Sequence, residues 1–240
     1  MAVTLEAADR IATITLDRPD AGNALDLETT RELRDQVRHA LEDPFVDILV
    51  LKGAGNDFCV GSDTSAAEES NDPTTHVFEL AAALDDLFGT LDQSSKPIVV
   101  GVRGLAAGSG LGLVLAGDLA LCSPGATFEV APRGGPGAPD AGLAWLLPRA
   151  IGQQRALSFA LGRQTLDAER AQDWGIATIV ADDEMDERLR ELAEALGGEH
   201  LWASGEMRRL LRTSWDTSRQ DLSQSEAVVL VRALLNRASR

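Results

Sequence analysis

Apolar and polar positions follow two periods along this chain. Val3 to Glu6 and Ile11 to Leu16 are apolar, β-branched runs on either side of Ala8-Asp9-Arg10, which predicts a β-hairpin. Asp17 to Asn23 is a loop of turn formers. Leu27, Leu33, Val37 and Leu41 then recur at helical spacing behind Asp26, a residue able to cap a helix, and Asp43-Pro44 ends the run. Val46 to Leu51 reads as a buried strand. Residues 64–75 are polar and read as a mobile loop. Val77, Leu80, Ala81, Leu84, Leu87, Phe88 and Leu91 form a second helical stripe.

Pro97 to Val102 is a short β-branched strand, followed by Gly104, Gly108, Gly110 and Gly112, and by a buried helix from Leu111 that closes at Gly117. Asp118 to Cys122 and Thr127 to Val130 read as further strands, inside or beside a Pro-, Gly- and Ala-rich loop over 123–143. Short helices or turns are expected at 145–148, 153–161 and 167–174, the last with Gly175 just past its end, and a strand at Ile176 to Val180. Beyond 182 only helical stripes remain: Met185, Leu189, Leu192 and Leu196; Met207, Leu210 and Leu211 behind Ser204 as N-cap; and Val228, Val231, Leu234 and Leu235 behind Asp221. Strands alternating with helices predict an α/β core over 1–182 with a helical region over 183–240. Turns recurring about every forty residues suit a superhelical stack.

Composition narrows the partners. A net charge of −16 argues against nucleic acid and against an anionic membrane surface, both of which call for a basic face. The N-terminus lacks a basic then apolar leader, and no apolar run is long enough to span a bilayer. Cys59 and Cys122 lack metal or redox spacing and read as buried thiols of a reducing, cytoplasmic compartment. The histidines at 39, 76 and 200 are scattered, so no metal is expected.

The glycine-rich turn is the chemical focus. A turn that feeds a helix N-terminus leaves N–H groups without acceptors inside the helix, in a region of partial positive charge. Such a turn could serve close helix–strand packing alone. It could be a dinucleotide loop, but Gly108-x-Gly110-x-Gly112 lacks the G-x-G-x-x-G spacing. It could also hold a developing oxyanion.

Several segments together resemble the crotonase (enoyl-CoA hydratase/isomerase) superfamily. They are Ile14-Thr-Leu-Asp-Arg-Pro-Asp-Ala-Gly-Asn-Ala-Leu25, Phe58-Cys-Val-Gly-Ser-Asp63, Lys96-Pro-Ile-Val-Val-Gly-Val-Arg-Gly-Leu-Ala-Ala-Gly-Ser-Gly110, Gly117-Asp118-Leu-Ala and Asp173-Trp-Gly-Ile-Ala177, in order over most of residues 1–182. The resemblance implies a spiral of ββα turns and a C-terminal helical region that forms a homotrimer or hexamer. It implies an acyl-CoA or other acyl thioester as substrate, with coenzyme A as part of that substrate and no tightly bound cofactor. It also implies an enolate held by two backbone N–H groups. Carried over, these are the N–H groups of Ser62, after Gly61, and Ser109, after Gly108. Arg18, Ala21, Asn23, Ala24, Gly61, Asp63 and Gly108 match the parts that hold the thioester and its carrier. The family often has a basic residue where this chain has Asp20.

The two glutamates that hydratases use to activate water fall on Gly112 and Pro132 here. Neither can move a proton, whereas general acid–base work needs a titratable side chain at the substrate. The run Ala138-Pro-Asp-Ala-Gly-Leu-Ala-Trp-Leu-Leu-Pro-Arg149 resembles the segment in which isomerases of ring-opened phenylacetyl-CoA metabolites carry a proton-shuttling aspartate, which makes Asp140 the candidate. A pocket walled by Leu143, Trp145 and Leu146 would raise its pKa by desolvation. Asp140 could instead be a turn residue or a helix cap. Glu129 and Arg133 are further candidates, with Glu129 read as a solvated strand edge. An aryl- or acyl-CoA dehalogenase or hydrolase with Asp140 as nucleophile is the alternative, although the tryptophan and histidine of that site match neither Pro132 nor the neighbourhood of Phe88. A non-catalytic thioester-binding protein is the third.

Overall fold

The computed structural model describes residues 1–68, 71–131 and 141–238. The chain runs β1 (Val3–Ala8), β2 (Ile11–Leu16), α1 (Leu27–Glu42), β3 (Ile48–Gly53), α2 (Ser65–Glu68), α3 (Pro73–Asp92), β4 (Ile98–Val102), β5 (Leu105–Ala107), α4 (Ser109–Ala116), β6 (Leu119–Cys122) and β7 (Thr127–Glu129). It continues through α5 (Leu143–Ile151), α6 (Gln153–Leu161), β8 (Thr165–Asp167), α7 (Ala168–Asp173), β9 (Thr178–Ile179), α8 (Met185–Leu196), α9 (Leu201–Thr213) and α10 (Arg219–Ala238).

A six-stranded sheet has the order β1-β2-β3-β4-β6-β9, antiparallel at β1–β2 and parallel thereafter. A second layer joins short extended pieces: the parallel bridges Leu25 to Ser62 and Cys59 to Ala106, then β5, β7 and β8. Successive turns therefore each lay one strand in the large sheet and one short piece in the small layer before a helix. This is the ββα spiral, and its period is set by chain geometry rather than by repeated residues.

The central strands β3 and β4 are buried on both faces over most of their length, so they read as continuous apolar runs. Leu49, Leu51, Val100 and Val102 face the main core under α1, α3 and α4. Ile48, Val50, Val99 and Leu121 face Met185, Leu189 and Ala193 of α8. Thus α8, from the helical region after residue 182, covers the second face of the core sheet. Asp26 caps α1 by accepting from the Thr29 N–H at 2.7 Å, as its position implied.

Three expectations change. A helix begins at Pro73, capped by Asp72, inside the stretch read as loop. Ser204 lies within α9, which starts at Leu201, so it caps nothing. The last helix starts at Arg219, and the Ser218 hydroxyl accepts the Asp221 N–H at 3.1 Å, so Ser218 is the cap.

Candidate active site

Two consecutive turns of the spiral bring Ser62 and Ser109 together. The Leu25 N–H donates to the Gly61 carbonyl and the Asp63 N–H to the Leu25 carbonyl, both at 2.9 Å. In extended chain, successive N–H groups alternate sides, so the N–H of Ser62 faces away from Leu25. Ser109 is the first residue of α4, and its N–H is one of the donors that a helix leaves without an internal acceptor. The Ser62 hydroxyl donates to the fully buried Ser109 hydroxyl at 3.1 Å. Gly108 enters the helix at φ 52°, a conformation that favours glycine, and its N–H is held by the Glu129 carbonyl at 3.1 Å. At Gly110 a β-carbon would fall 2.1 Å from the Cys59 carbonyl oxygen. Only glycine lets the head of α4 come this close to the segment that carries Ser62.

Of the residues expected around a thioester carrier, Arg18, Ala21, Asn23 and Ala24 lie in one braced loop. Asn23, 1% exposed, accepts the Arg18 N–H at 2.8 Å and donates to the carbonyls of Ala54 and Asp57 at 2.9 and 2.7 Å. Its side chain is consumed in holding the loop, so a binding role for Asn23 is one of position. The Ala21 and Ala24 N–H groups close the turns of this loop on the carbonyls of Arg18 and Ala21. The Arg18 guanidinium pairs with Asp26 at 2.7 Å and Asp63 at 3.8 Å, and donates to the Ala24 carbonyl at 3.0 Å. It ties the loop to the Ser62 segment instead of reaching into solvent. The Ser65 hydroxyl at 2.6 Å, the Ser65 N–H at 3.0 Å and the charge of Arg18 hold the Asp63 carboxyl below its ordinary range, against the opposing effect of desolvation.

On the acid–base side, Trp145 and Glu129 lie otherwise than expected. A β-carbon at Gly112 would fall 2.9 Å from Phe88 Cζ and 3.2 Å from the Ala141 carbonyl oxygen, so a larger side chain at 112 would meet an occupied volume. Asp140, Pro132 and Arg133 lie outside the described residues. Leu143 and Leu146 are buried, but Trp145 is 38% exposed and stacks on the Arg149 guanidinium at 3.9 Å. It belongs to the α5–α9 surface rather than to a closed pocket wall. Glu129, expected at a solvated edge, is 6% exposed and accepts the Thr165 hydroxyl at 2.8 Å from the opposite residue of β8. Sequence reasoning missed the place of Phe88 because a helical stripe marks apolar residues without saying which of them ends beside a site.

Residues 6–233 match the family described as enoyl-CoA hydratase/isomerase. A 1,2-epoxyphenylacetyl-CoA isomerase of Escherichia coli K12 is 31% identical over 209 residues, 85% of this chain and 79% of that one. A 4-chlorobenzoyl coenzyme A dehalogenase of an Arthrobacter species is 30% identical over 197 residues, 81% of this chain and 71% of its own. A crystal structure from Mycobacterium abscessus, named for the enoyl-CoA hydratase/isomerases, superposes with a TM-score of 0.90 at 32% identity, covering 97% of this chain and 91% of that one.

Proposed function

The chain belongs to the enoyl-CoA hydratase/isomerase family, and from that premise we propose that it is an isomerase that moves a double bond within an enoyl thioester. The observation that carries this reading is the meeting of Ser62 and Ser109, 47 residues apart in sequence, with hydroxyls 3.1 Å from one another at a helix N-terminus. In the proposed reaction their two N–H groups donate to the thioester carbonyl oxygen. Asp140 takes a proton from the α or γ carbon, the electron pair moves onto that oxygen as an enolate, and the proton returns to a different carbon. Atoms and electrons balance without a redox partner, and one carboxylate suffices. Preorganised donors contribute most where charge develops in the transition state. The braced loop at Arg18 to Ala24, with Gly61, Asp63 and Gly108, holds the carrier end, for which coenzyme A is the proposed identity. Gly112 supports isomerisation over hydration, since no carboxylate stands there to hold water.

Asp140→Asn keeps the shape and removes the proton acceptor. In D₂O with a panel of enoyl-CoA thioesters, deuterium uptake should fall by roughly 10²–10⁴ in rate while binding survives. Unchanged exchange would exclude Asp140 as the base. The likeness to the dehalogenase favours a second reading, in which Asp140 attacks an aryl-CoA ring and displaces halide. Chloride release from a chloroaryl-CoA, with no exchange on any enoyl thioester, would select it. Binding without turnover of either kind would leave a thioester-binding protein.

A further inference from the structure

Arg18 clamps the two segments whose pairing aims the Ser62 N–H. Ser62 and Leu25 form an isolated parallel bridge, closed by the Leu25 N–H on the Gly61 carbonyl and the Asp63 N–H on the Leu25 carbonyl. An isolated bridge lacks the neighbouring pairs that hold register in a longer ladder. The Arg18 guanidinium supplies what the ladder would. Its Nη1 donates to the Ala24 carbonyl at 3.0 Å and pairs with the Asp26 carboxylate at 2.7 Å, the residues before and after Leu25. The Thr29 hydroxyl accepts from the same nitrogen at 3.2 Å. Its Nη2 faces the carboxylate of Asp63, the residue after Ser62, at 3.8 Å. The Arg18 backbone is itself pinned: its N–H donates to the Asn23 side chain at 2.8 Å, and its carbonyl accepts the Ala21 and Asn23 N–H groups at 3.0 and 2.9 Å.

We propose that Arg18 is a positioning residue for the Ser62 donor, and not a contact for the phosphates of the carrier. The inference rests on the enoyl-thioester reading and deepens it. A donor contributes to catalysis when it is held in advance where charge develops, and a misplacement of about 1 Å can cost roughly 10²-fold in rate. Leu25 is fully buried, so it is a fixed reference for the Ser62 segment, and Arg18 locks the residues on either side of it to Asp63. A guanidinium suits this task because its planar fork of donors serves acceptors on two segments at once, whereas a lysine ammonium is a single compact charge. A phosphate drawn to Arg18 would have to compete with two carboxylates already beside it. The residue thus acts through the backbone of Ser62, at the acyl end of the substrate.

The test reads the polarisation of the bound carbonyl directly. A saturated acyl-CoA with ¹³C at the thioester carbonyl is bound to wild type, Arg18→Met, Arg18→Lys and Asp26→Ser, and the carbonyl stretch is followed by isotope-edited infrared difference spectroscopy. Asp26→Ser keeps a side-chain cap on α1 and removes the carboxylate that anchors Arg18. Wild type should lower the stretch relative to the free thioester. All three variants should lower it less, with the Kd of coenzyme A alone unchanged. With an enoyl-CoA in D₂O, kcat for exchange should fall by roughly tenfold to 10²-fold while KM stays near wild type. A residue that only stabilised the loop would lower the melting temperature and leave the stretch of the folded complex where it was. Wild-type stretch and kcat in folded Arg18→Met would overturn the inference alone. So would weakened binding of coenzyme A with the stretch unchanged, which would return Arg18 to the carrier. If wild type binds no acyl-CoA, or binds it without moving the stretch, the oxyanion reading falls and takes the inference with it. Should the Arg18 variants fail to fold, Asp26→Ser carries the same readouts, and wild-type values there would reject the clamp.

Discussion

Ser109 can offer a backbone donor whatever its side chain, because the donor comes from its place at the head of α4. Two substitutions separate backbone from side chain. Ser109→Gly keeps the N–H and loses only the hydroxyl contact with Ser62, so it should retain most of its turnover. Ser109→Pro is compatible with the first position of a helix but has no N–H. It should lose roughly 10²–10³ in kcat, the usual worth of one oxyanion donor, with far-ultraviolet circular dichroism unchanged. Equal effects of the two would place the importance in the hydroxyl and remove the backbone mechanism. Cys122 gives a separate residue-scale expectation. Burial pushes its thiol up to about 11. The unfolded chain ionises near 9 and the folded chain near 11, so stability should drop as pH rises between those values. Equilibrium unfolding at pH 8 and pH 10.5, compared with Cys122→Ala, checks the sign.

At the scale of elements, α9 is fastened by two arginines one turn apart. Arg208, with its side chain almost fully buried, donates to the carbonyls of Leu91 and Asp92 at the end of α3 at 2.8 and 2.9 Å, to the Ser94 carbonyl, and to Asp118 at 2.8 Å. Arg212 donates to the Ala116 and Gly117 carbonyls at the end of α4 at 2.7 and 2.8 Å, and to Asp118 at 3.0 Å. Helix C-termini leave carbonyls unsatisfied and partly negative, and two guanidinium groups answer both needs. Arg208→Met should cost about 3 kcal/mol in urea unfolding, because it strands buried acceptors. Arg208→Lys should not restore the loss, since one ammonium cannot reproduce the fork. A loss below about 1 kcal/mol would show that water satisfies these groups instead.

At the scale of the whole molecule, apolar surface remains on the last two helices. Met207, Leu211 and Trp215, and Val228, Leu230, Val231, Leu234 and Leu235, are each more than half exposed. Exposed apolar side chains in such number on two helices are the basis for expecting an interface there. Light scattering should report a trimer or a multiple of it, and a monomer at all concentrations would refute the expectation. Asp47 ties the two ends of the chain. Its carboxylate takes a two-pronged bond from Arg10 and accepts the Gly198 N–H at 3.2 Å. The Arg10 hydrogen bond holds it below its ordinary value, with burial opposing, so its contribution is complete above that value of 3.8 and is lost as pH falls through the lower folded value. Asp47→Asn should therefore remove part of the acid sensitivity below pH 4.

The sequence alone determined the hairpin at Val3 to Leu16, the capped helix from Asp26, the buried strand before the glycine turn and the helical end of the chain. Each is a local pattern: apolar period, capping residue or turn chemistry. It also determined which positions carry no carboxylate, since Gly112 cannot be otherwise. The strands Leu105–Ala107 and Thr165–Asp167 were illegible because three residues carry no readable period. Glu129 is buried where it meets its cross-strand partner Thr165, and Trp145 keeps an exposed face beneath the Arg149 guanidinium. Only the tertiary structure decided that Asn23 and Arg18 brace a loop, that α8 closes the sheet, and that Phe88 ends beside Gly112. These depend on contacts between residues tens of positions apart, whose distances are set by how successive turns of the spiral stack, and no single segment contains that information.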